Sequence, residues 1–270
     1  MRRFLTRFAA LAALIMPLPA AAANGFEEVV QARILPGWTM PDGGQMAALQ
    51  LTLAEGWKTY WRAPGDAGIP PRFDWSRSRN LDTVEITWPA PSVILQSGVR
   101  TIGYSDRLIL PLKMTPETQG RAISLEGEVE VGVCLDVCIP VTLPLSQDLP
   151  TGQTSPDPRI AAALASTPYT AAEAGLRQIS CQITPITDGL RLTARIDLPP
   201  AGGREVVVIE TGNPAIWVAQ SQAERTGDTL IAETEMFHVD GSDFVLNRAE
   251  LRLTVLGRDR AVDILGCPAG

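Results

Sequence analysis

The sequence predicts an all-β protein, two β-sandwich domains joined by a short helical linker. Runs of strand length with alternating apolar and polar residues recur through both halves, bounded by Gly, Pro and Asn-Asp punctuation among 22 prolines and 23 glycines. The helical pattern appears chiefly in one stretch, just after the breaker-rich run Thr151-Gly-Gln-Thr-Ser-Pro-Asp157. The four cysteines fall two in each half, so one bond can close within each domain. The expected organisation is a signal peptide over 1–23, a first domain over 24–150, a linker over 151–177 and a second sandwich over 178–270.

Arg2, Arg3 and Arg7 precede the apolar run Phe8 to Leu18, and the small residues Ala20 to Ala23 follow. This is the layout of a cleaved export signal, with the mature chain beginning near Asn24. The run is short for a membrane span, and no later segment reaches the ~20 apolar residues that one requires. The mature protein is expected to be exported and to carry no transmembrane segment. Losing the three arginines takes the formal charge from -7 to about -10, which disfavours nucleic acid as a partner. The remaining length of roughly 245 residues suffices for two ordinary cores.

In the first domain, Met46–Leu53, Leu81–Trp88, Arg107–Leu112 and Ile123–Val133 alternate as strands of an antiparallel sandwich. Asp157 and Pro158 supply an N-cap and first-turn proline for a helix over Pro158–Ala165, and a further helical turn is expected over Thr170–Leu176. Strand character returns at Ile179–Thr184, Gly189–Leu198, Glu205–Glu210, Ile216–Gln220, Thr229–Phe237 and Ala249–Leu256. Cys181 and Cys267 stand at the two ends of this second series. A structural disulfide between them would close a loop of roughly 85 residues, worth about 4 kcal/mol in the chain-entropy treatment.

The chemistry concentrates in Val131-Gly-Val-Cys134-Leu-Asp-Val-Cys138-Ile-Pro140. On a straight strand Cys134 and Cys138 would lie roughly 13 Å apart, beyond the ~7 Å reach of a disulfide. Bonding therefore demands one helical turn or a tight loop over Leu135-Asp-Val137. Three chemistries fit such a pair in an exported chain: an easily reduced exchange disulfide, a structural staple, and a two-thiolate site for a soft metal such as Cu(I). Asp136 between the cysteines would raise a neighbouring thiol's pKa, and no cation stands in the motif to oppose it.

The run Ala54-Glu-Gly-Trp57-Lys-Thr-Tyr60-Trp61-Arg-Ala-Pro-Gly65-Asp-Ala-Gly-Ile-Pro-Pro71, with Phe73-Asp-Trp75-Ser, Trp88-Pro-Ala-Pro91 and the cysteine segment, resembles the N-terminal periplasmic domain of the DsbD family. Within it the likeness is to the branch known as suppressor of copper sensitivity protein B, and it covers roughly Phe26 to Leu149. The resemblance implies an immunoglobulin-like sandwich in the periplasm. Its Cys134/Cys138 pair would take electrons from a membrane donor and pass them to thioredoxin-like oxidoreductases, with Cys138 engaging partners and Cys134 resolving. Full-length relatives continue into a membrane domain and a thioredoxin-like domain, which these 270 residues lack, so the expectation is either a separately encoded membrane donor or a domain that has kept its fold and changed its task. The better-known DsbD domain spaces its cysteines more widely, which leaves partner specificity open.

The aromatic cluster Trp57, Tyr60, Trp61 and Trp75 could shield the pair, as a cap loop does in the related domain, although Trp57 and Trp75 read better as core and loop anchors. Adjacent Tyr60 and Trp61 face opposite sides of a strand, which leaves one exposed near the cysteines as a partner contact. The rival function is copper tolerance through Cu(I) on Cys134 and Cys138, aided by Met114 or Met40, with no other cofactor expected. A third reading is a pure interaction module with both disulfides structural. His238, the only histidine, reads as a turn residue, and Asp240-Gly-Ser-Asp243 as a plain turn rather than a calcium loop.

Overall fold

The computed structural model describes residues 28–66, 68–96 and 98–270, and it builds two β-sandwiches from the alternating runs. The expected leader and its cleavage point lie outside the described residues. The first sandwich uses β1 (Val30–Thr39), β2 (Gln45–Leu53), β3 (Lys58–Tyr60), β4 (Arg72–Asp74), β5 (Thr83–Ile86), β6 (Ser92–Gln96), β7 (Val99–Ser105), β8 (Arg107–Thr115), β9 (Ile123–Cys134) and β10 (Cys138–Leu149). One sheet runs β1-β2-β8-β5. The other runs β10-β9-β3-β7-β6, with β4 also paired to β9.

Strand chemistry explains the order. In β10, Val141, Leu143, Leu145 and Leu149 are buried while Pro140, Thr142, Pro144 and Ser146 face outward. Prolines cannot donate to a ladder, so a strand carrying Pro140 and Pro144 belongs at a sheet edge, where β10 lies. Strand β9 lies inside its sheet and buries Val129, Val131 and Val133 against Leu49, Leu51, Leu110 and Leu112 of the facing sheet. Each such side chain contributes roughly 1.5–3 kcal/mol of transfer free energy.

Helix α1 (Pro158–Ala165) forms where expected, with the Asp157 carboxylate accepting from Arg159 N at 2.8 Å. It is no free tether. Ile160 is fully buried with Leu35, Met46 and Ala48 on the face of β1–β2 turned away from the sandwich core. Gly37, at a bulge between Pro36 and Trp38, allows this approach, because a Cβ there would fall 2.3 Å from the Met46 carbonyl. The expected second turn is also present: Ala174 N donates to Thr170 O, Thr170 and Glu173 cap each other reciprocally, and Gly175 ends the turn at φ +74°.

The second sandwich comprises β11 (Tyr169–Thr170), β12 (Gln178–Ile186), β13 (Gly189–Asp197), β14 (Val206–Glu210), β15 (Ile216–Val218), β16 (Gln222–Thr226), β17 (Thr229–His238), β18 (Arg252–Leu256) and β19 (Ala261–Leu265). Its sheets run β11-β19-β18-β14 and β12-β13-β17-β15, with β16 also on β17. One departure from an antiparallel sandwich is the two-residue parallel pair β11–β19, which satisfies the backbone where the linker enters the domain. Strand β18 starts at Arg252 rather than Ala249, because Asn247 folds the preceding residues into a turn through Ala249 N and Glu250 N. Cys181 and Cys267 are bonded and buried in the second core.

The two sandwiches touch. Arg62 Nε and Nη2 donate to Glu210 Oε1 and Oε2 at 3.0 and 2.9 Å, and Arg100 Nε donates to Gln220 Oε1 at 2.9 Å. Val206, Leu256 and Ala261 of the second sandwich extend the first sandwich's apolar cluster. No described helix is long and apolar enough to cross a membrane.

Candidate redox site

The site is the closed end of the β9–β10 hairpin. Twelve residue pairs run in unbroken register from Ile123–Leu149 to Cys134–Cys138, and only Leu135, Asp136 and Val137 turn the corner. Opposed positions in an antiparallel ladder lie within disulfide reach. Cys134 and Cys138 are bonded, with Cα atoms 4.1 Å apart. Of the two local geometries that the spacing allowed, the tight loop is present and the helical turn is not.

Sheet order makes the two sulfurs unequal. Cys134 ends an internal strand beside β3 and is 5% exposed, whereas Cys138 begins the edge strand and is exposed. The Tyr60 hydroxyl donates to Cys138 Sγ at 2.9 Å, since a disulfide sulfur carries no proton to give. Burial pushes the Tyr60 phenol up, so it remains a donor through the neutral range. Gly132 on β9 makes room for the ring, because a Cβ there would lie 2.8 Å from it. Around the pair, Leu135 and Val137 at the tip and Leu95 and Val99 on the β6–β7 hairpin stay exposed.

The family description "Thiol:disulfide interchange protein DsbD, N-terminal" matches residues 28–150. The first sandwich is matched along its length by the DsbD N-terminal domain family. Among solved structures, the N-terminal periplasmic domain of ScsB from Proteus mirabilis is similar in fold, with TM-score 0.63 and 21% identity over 89% of this chain and 100% of that one. The reduced DsbD N-terminal domain of Neisseria meningitidis covers 50% of this chain and 96% of its own length, at 14% identity and TM-score 0.27. No curated protein matches the chain significantly in sequence.

Within this first sandwich the aromatic expectation needs correction. Neither Tyr60 nor Trp61 is exposed: they are 1% and 0% accessible. Because β3 is flanked by β7 and β9, Trp61 turns into the sandwich core under the Arg62 guanidinium, 4.0 Å from its ring centroid, while Tyr60 lies against Gly132 and Ile69. Trp61 thus has no surface to offer a partner, and Tyr60 touches the cysteine itself. Trp57 is partly buried on the core and Trp75 stacks on Phe73 with centroids 5.8 Å apart, both as anchors.

The methionines also fall elsewhere. Met114 is buried in the core at the far end of β8 from Arg107, and Met40 packs in the cluster under α1, so neither joins Cys134 and Cys138.

Two residues near the pair escaped sequence reasoning. Lys58 is the Cα partner of Cys134 across β3–β9, 6% exposed, and burial pushes its ammonium down. Its Nζ donates to Gln96 Oε1 at 2.5 Å, and Gln96 Nε2 donates to the Leu135 carbonyl at 2.6 Å. The cation missing from the motif stands 76 residues earlier in the chain, where only strand pairing could reveal it; the hint was a lysine inside an aromatic strand, two residues before Tyr60.

His238 sits in a closed turn, as expected. Asp240 and Ser242 both bond its Nδ1, whereas a hydrolytic triad places serine and carboxylate on opposite ring nitrogens. Ser242's hydroxyl and amide hold the Asp240 carboxyl down at about 2. A cleft of about 650 Å³ lined by Arg62, Arg100, Glu210 and Trp217 lies between the sandwiches, and neither Cys134 nor Cys138 borders it.

Proposed function

We propose that this chain is a periplasmic thiol-disulfide exchange module working through Cys134 and Cys138. The observation that carries the reading is the asymmetric disulfide at the hairpin tip: one sulfur on an exposed edge strand, the other buried, with exposed apolar residues around them. The match of residues 28–150 to a thiol:disulfide interchange family supports it.

In the loading step a donor thiolate attacks Cys138 Sγ, the Cys134–Cys138 bond breaks, and Cys134 leaves as a thiolate. The donor's second thiolate then attacks its own sulfur in the mixed disulfide, releasing Cys138. Two electrons and two protons reach the pair and the donor becomes a disulfide. In the unloading step the Cys138 thiolate attacks a partner disulfide, whose leaving sulfur takes a proton. Cys134 then attacks Cys138 Sγ and expels the reduced partner. A membrane protein as donor and thioredoxin-like oxidoreductases as acceptors complete the circuit, after export by the N-terminal signal. The exposed apolar tip residues suit docking of such partners.

The test is a glutathione redox titration of the mature protein, read by alkylation and peptide mass spectrometry with and without one equivalent of Cu(I). A reversible couple between roughly -150 and -270 mV, the range of exchange proteins, is expected. A bond that resists reduction would make the pair a staple. Thiols protected from alkylation only when Cu(I) is present would transfer the function to copper binding.

A further inference from the structure

We propose that Lys58 is the electrostatic partner of the Cys134 thiolate in the reduced pair, and that its bond through Gln96 holds the 135–137 loop in place for exchange. The inference deepens the exchange reading and rests on it.

Burial disfavours a thiolate, yet every cycle of this site must produce one at Cys134, the less accessible sulfur. Lys58 is placed to offset that cost. Directly opposed residues in an antiparallel pair project on the same face with Cβ atoms about 4.5–5.5 Å apart, and Lys58 is opposed to Cys134. A lysine 6% exposed must itself find partners, and the hydrogen bond found for its ammonium goes to a neutral amide, Gln96 Oε1. No described carboxylate lies within ion-pair distance of it, whereas the other lysine, Lys113, pairs with Asp42 at 3.2 Å. In the disulfide form the buried ammonium therefore lacks a counter-charge; reduction supplies one.

The elements packed on Lys58 bring few other charges. Strand β9 brings Cys134, the hairpin tip brings Asp136, its own strand brings Tyr60, and β6–β7 brings Gln96; Asp106 stands one residue beyond its other partner, Ser105. Asp136 is exposed at the tip. The relay Lys58–Gln96–Leu135 O also ties the ammonium to the backbone beside Cys134, so charge and loop position are coupled. A lower pKa of the leaving thiol speeds its departure from a disulfide, which is the loading step here.

The test compares the glutathione equilibrium of the full mature chain at pH about 8.5, where an ordinary cysteine is half ionised. Lys58→Met is expected to make the pair about tenfold harder to reduce, equivalent to about 30 mV for a two-electron couple, and Lys58→Arg to restore it to within about twofold. A reversible wild-type couple that Lys58→Met leaves within twofold overturns the inference alone. A wild-type disulfide that resists glutathione overturns the exchange reading and the inference with it. A second measurement needs no substitution, because the chain has only two lysines. With isotope-labelled lysine, the Lys58 side-chain signal in wild-type protein is expected to titrate at higher pH after reduction while Lys113 stays fixed; an unmoved Lys58 overturns the inference.

Discussion

Arg62 and Glu210, 148 residues apart in sequence, form a two-pronged ion pair that joins the segment after β3 of the first sandwich to the edge strand of the second one. Their side chains are 18% and 23% exposed, so solvent screens the pair only in part. Arg62 directly follows Trp61 and covers its ring, and the second sandwich thereby anchors the loop that leads away from Tyr60.

Removing Glu210 should show that anchoring. Glu210→Ala leaves Arg62 partly buried and unpaired, and is expected to cost about 1–3 kcal/mol of stability. Adding Arg62→Ala should recover part of that loss in a double-mutant cycle followed by urea unfolding. Strictly additive losses would show that the two residues do not act as a pair.

Tyr60→Phe keeps the ring against Gly132 and deletes only the donor to Cys138 Sγ. A hydroxyl that donates to a thiolate stabilises it, so the variant should show a higher Cys138 pKa and roughly three- to tenfold slower alkylation at pH 7. Burial raises the phenol's own pKa above its usual value near 10, which keeps it a donor while the thiols titrate. The rate deficit should therefore hold at neutral pH and shrink only as both thiols become fully ionised. Iodoacetamide kinetics across pH 6 to 9 measure this, and a Phe variant matching wild type throughout would remove Tyr60 from the site.

The two disulfides should respond differently to removal. Cys181→Ala opens a bond spanning 86 residues between two fully buried sulfurs, and a loss of about 4 kcal/mol is expected in thermal or urea unfolding. The folded fraction should keep a normal Cys134–Cys138 couple. Cys138→Ala should do the reverse, leaving the unfolding curve nearly in place while abolishing exchange with a partner disulfide.

Helix α1 offers a test of the linker. Ile160→Ala empties a fully buried seat over Met46 and Ala48, and about 2–4 kcal/mol should be lost. If the helix were a free tether the substitution would cost a few tenths at most. Protease cleavage between residues 150 and 170 should rise in parallel.

Much of the fold was legible from period alone. Ile123–Cys134, Gly189–Asp197 and Thr229–His238 follow the alternation that marks them, Gln45–Leu53 is buried on both faces because α1 covers its outer one, and Asp157-Pro158 marks the start of α1. Short strands such as β3, with three residues, carry too little pattern to be seen, although β3 supplies both Lys58 and Tyr60 to the site. The parallel β11–β19 contact likewise has no local signal, being two residues long.

The cysteine pair and the need for a tight turn between its members were determined by the sequence itself, because a four-residue separation leaves few ways to bring two sulfurs together. So was the pairing of Cys181 with Cys267, once each domain was required to close its own bond. Which sulfur faces solvent, which hydroxyl touches it and which cation lies behind it were decided only by tertiary structure. Those relations depend on strand order: β10 is an edge and β3 is internal, so Cys138 is open, Trp61 is enclosed, and Lys58 is carried from 76 residues away to stand opposite Cys134. Strand order is a property of the whole sheet, set by which apolar faces can be covered together, and no local stretch of chain encodes it.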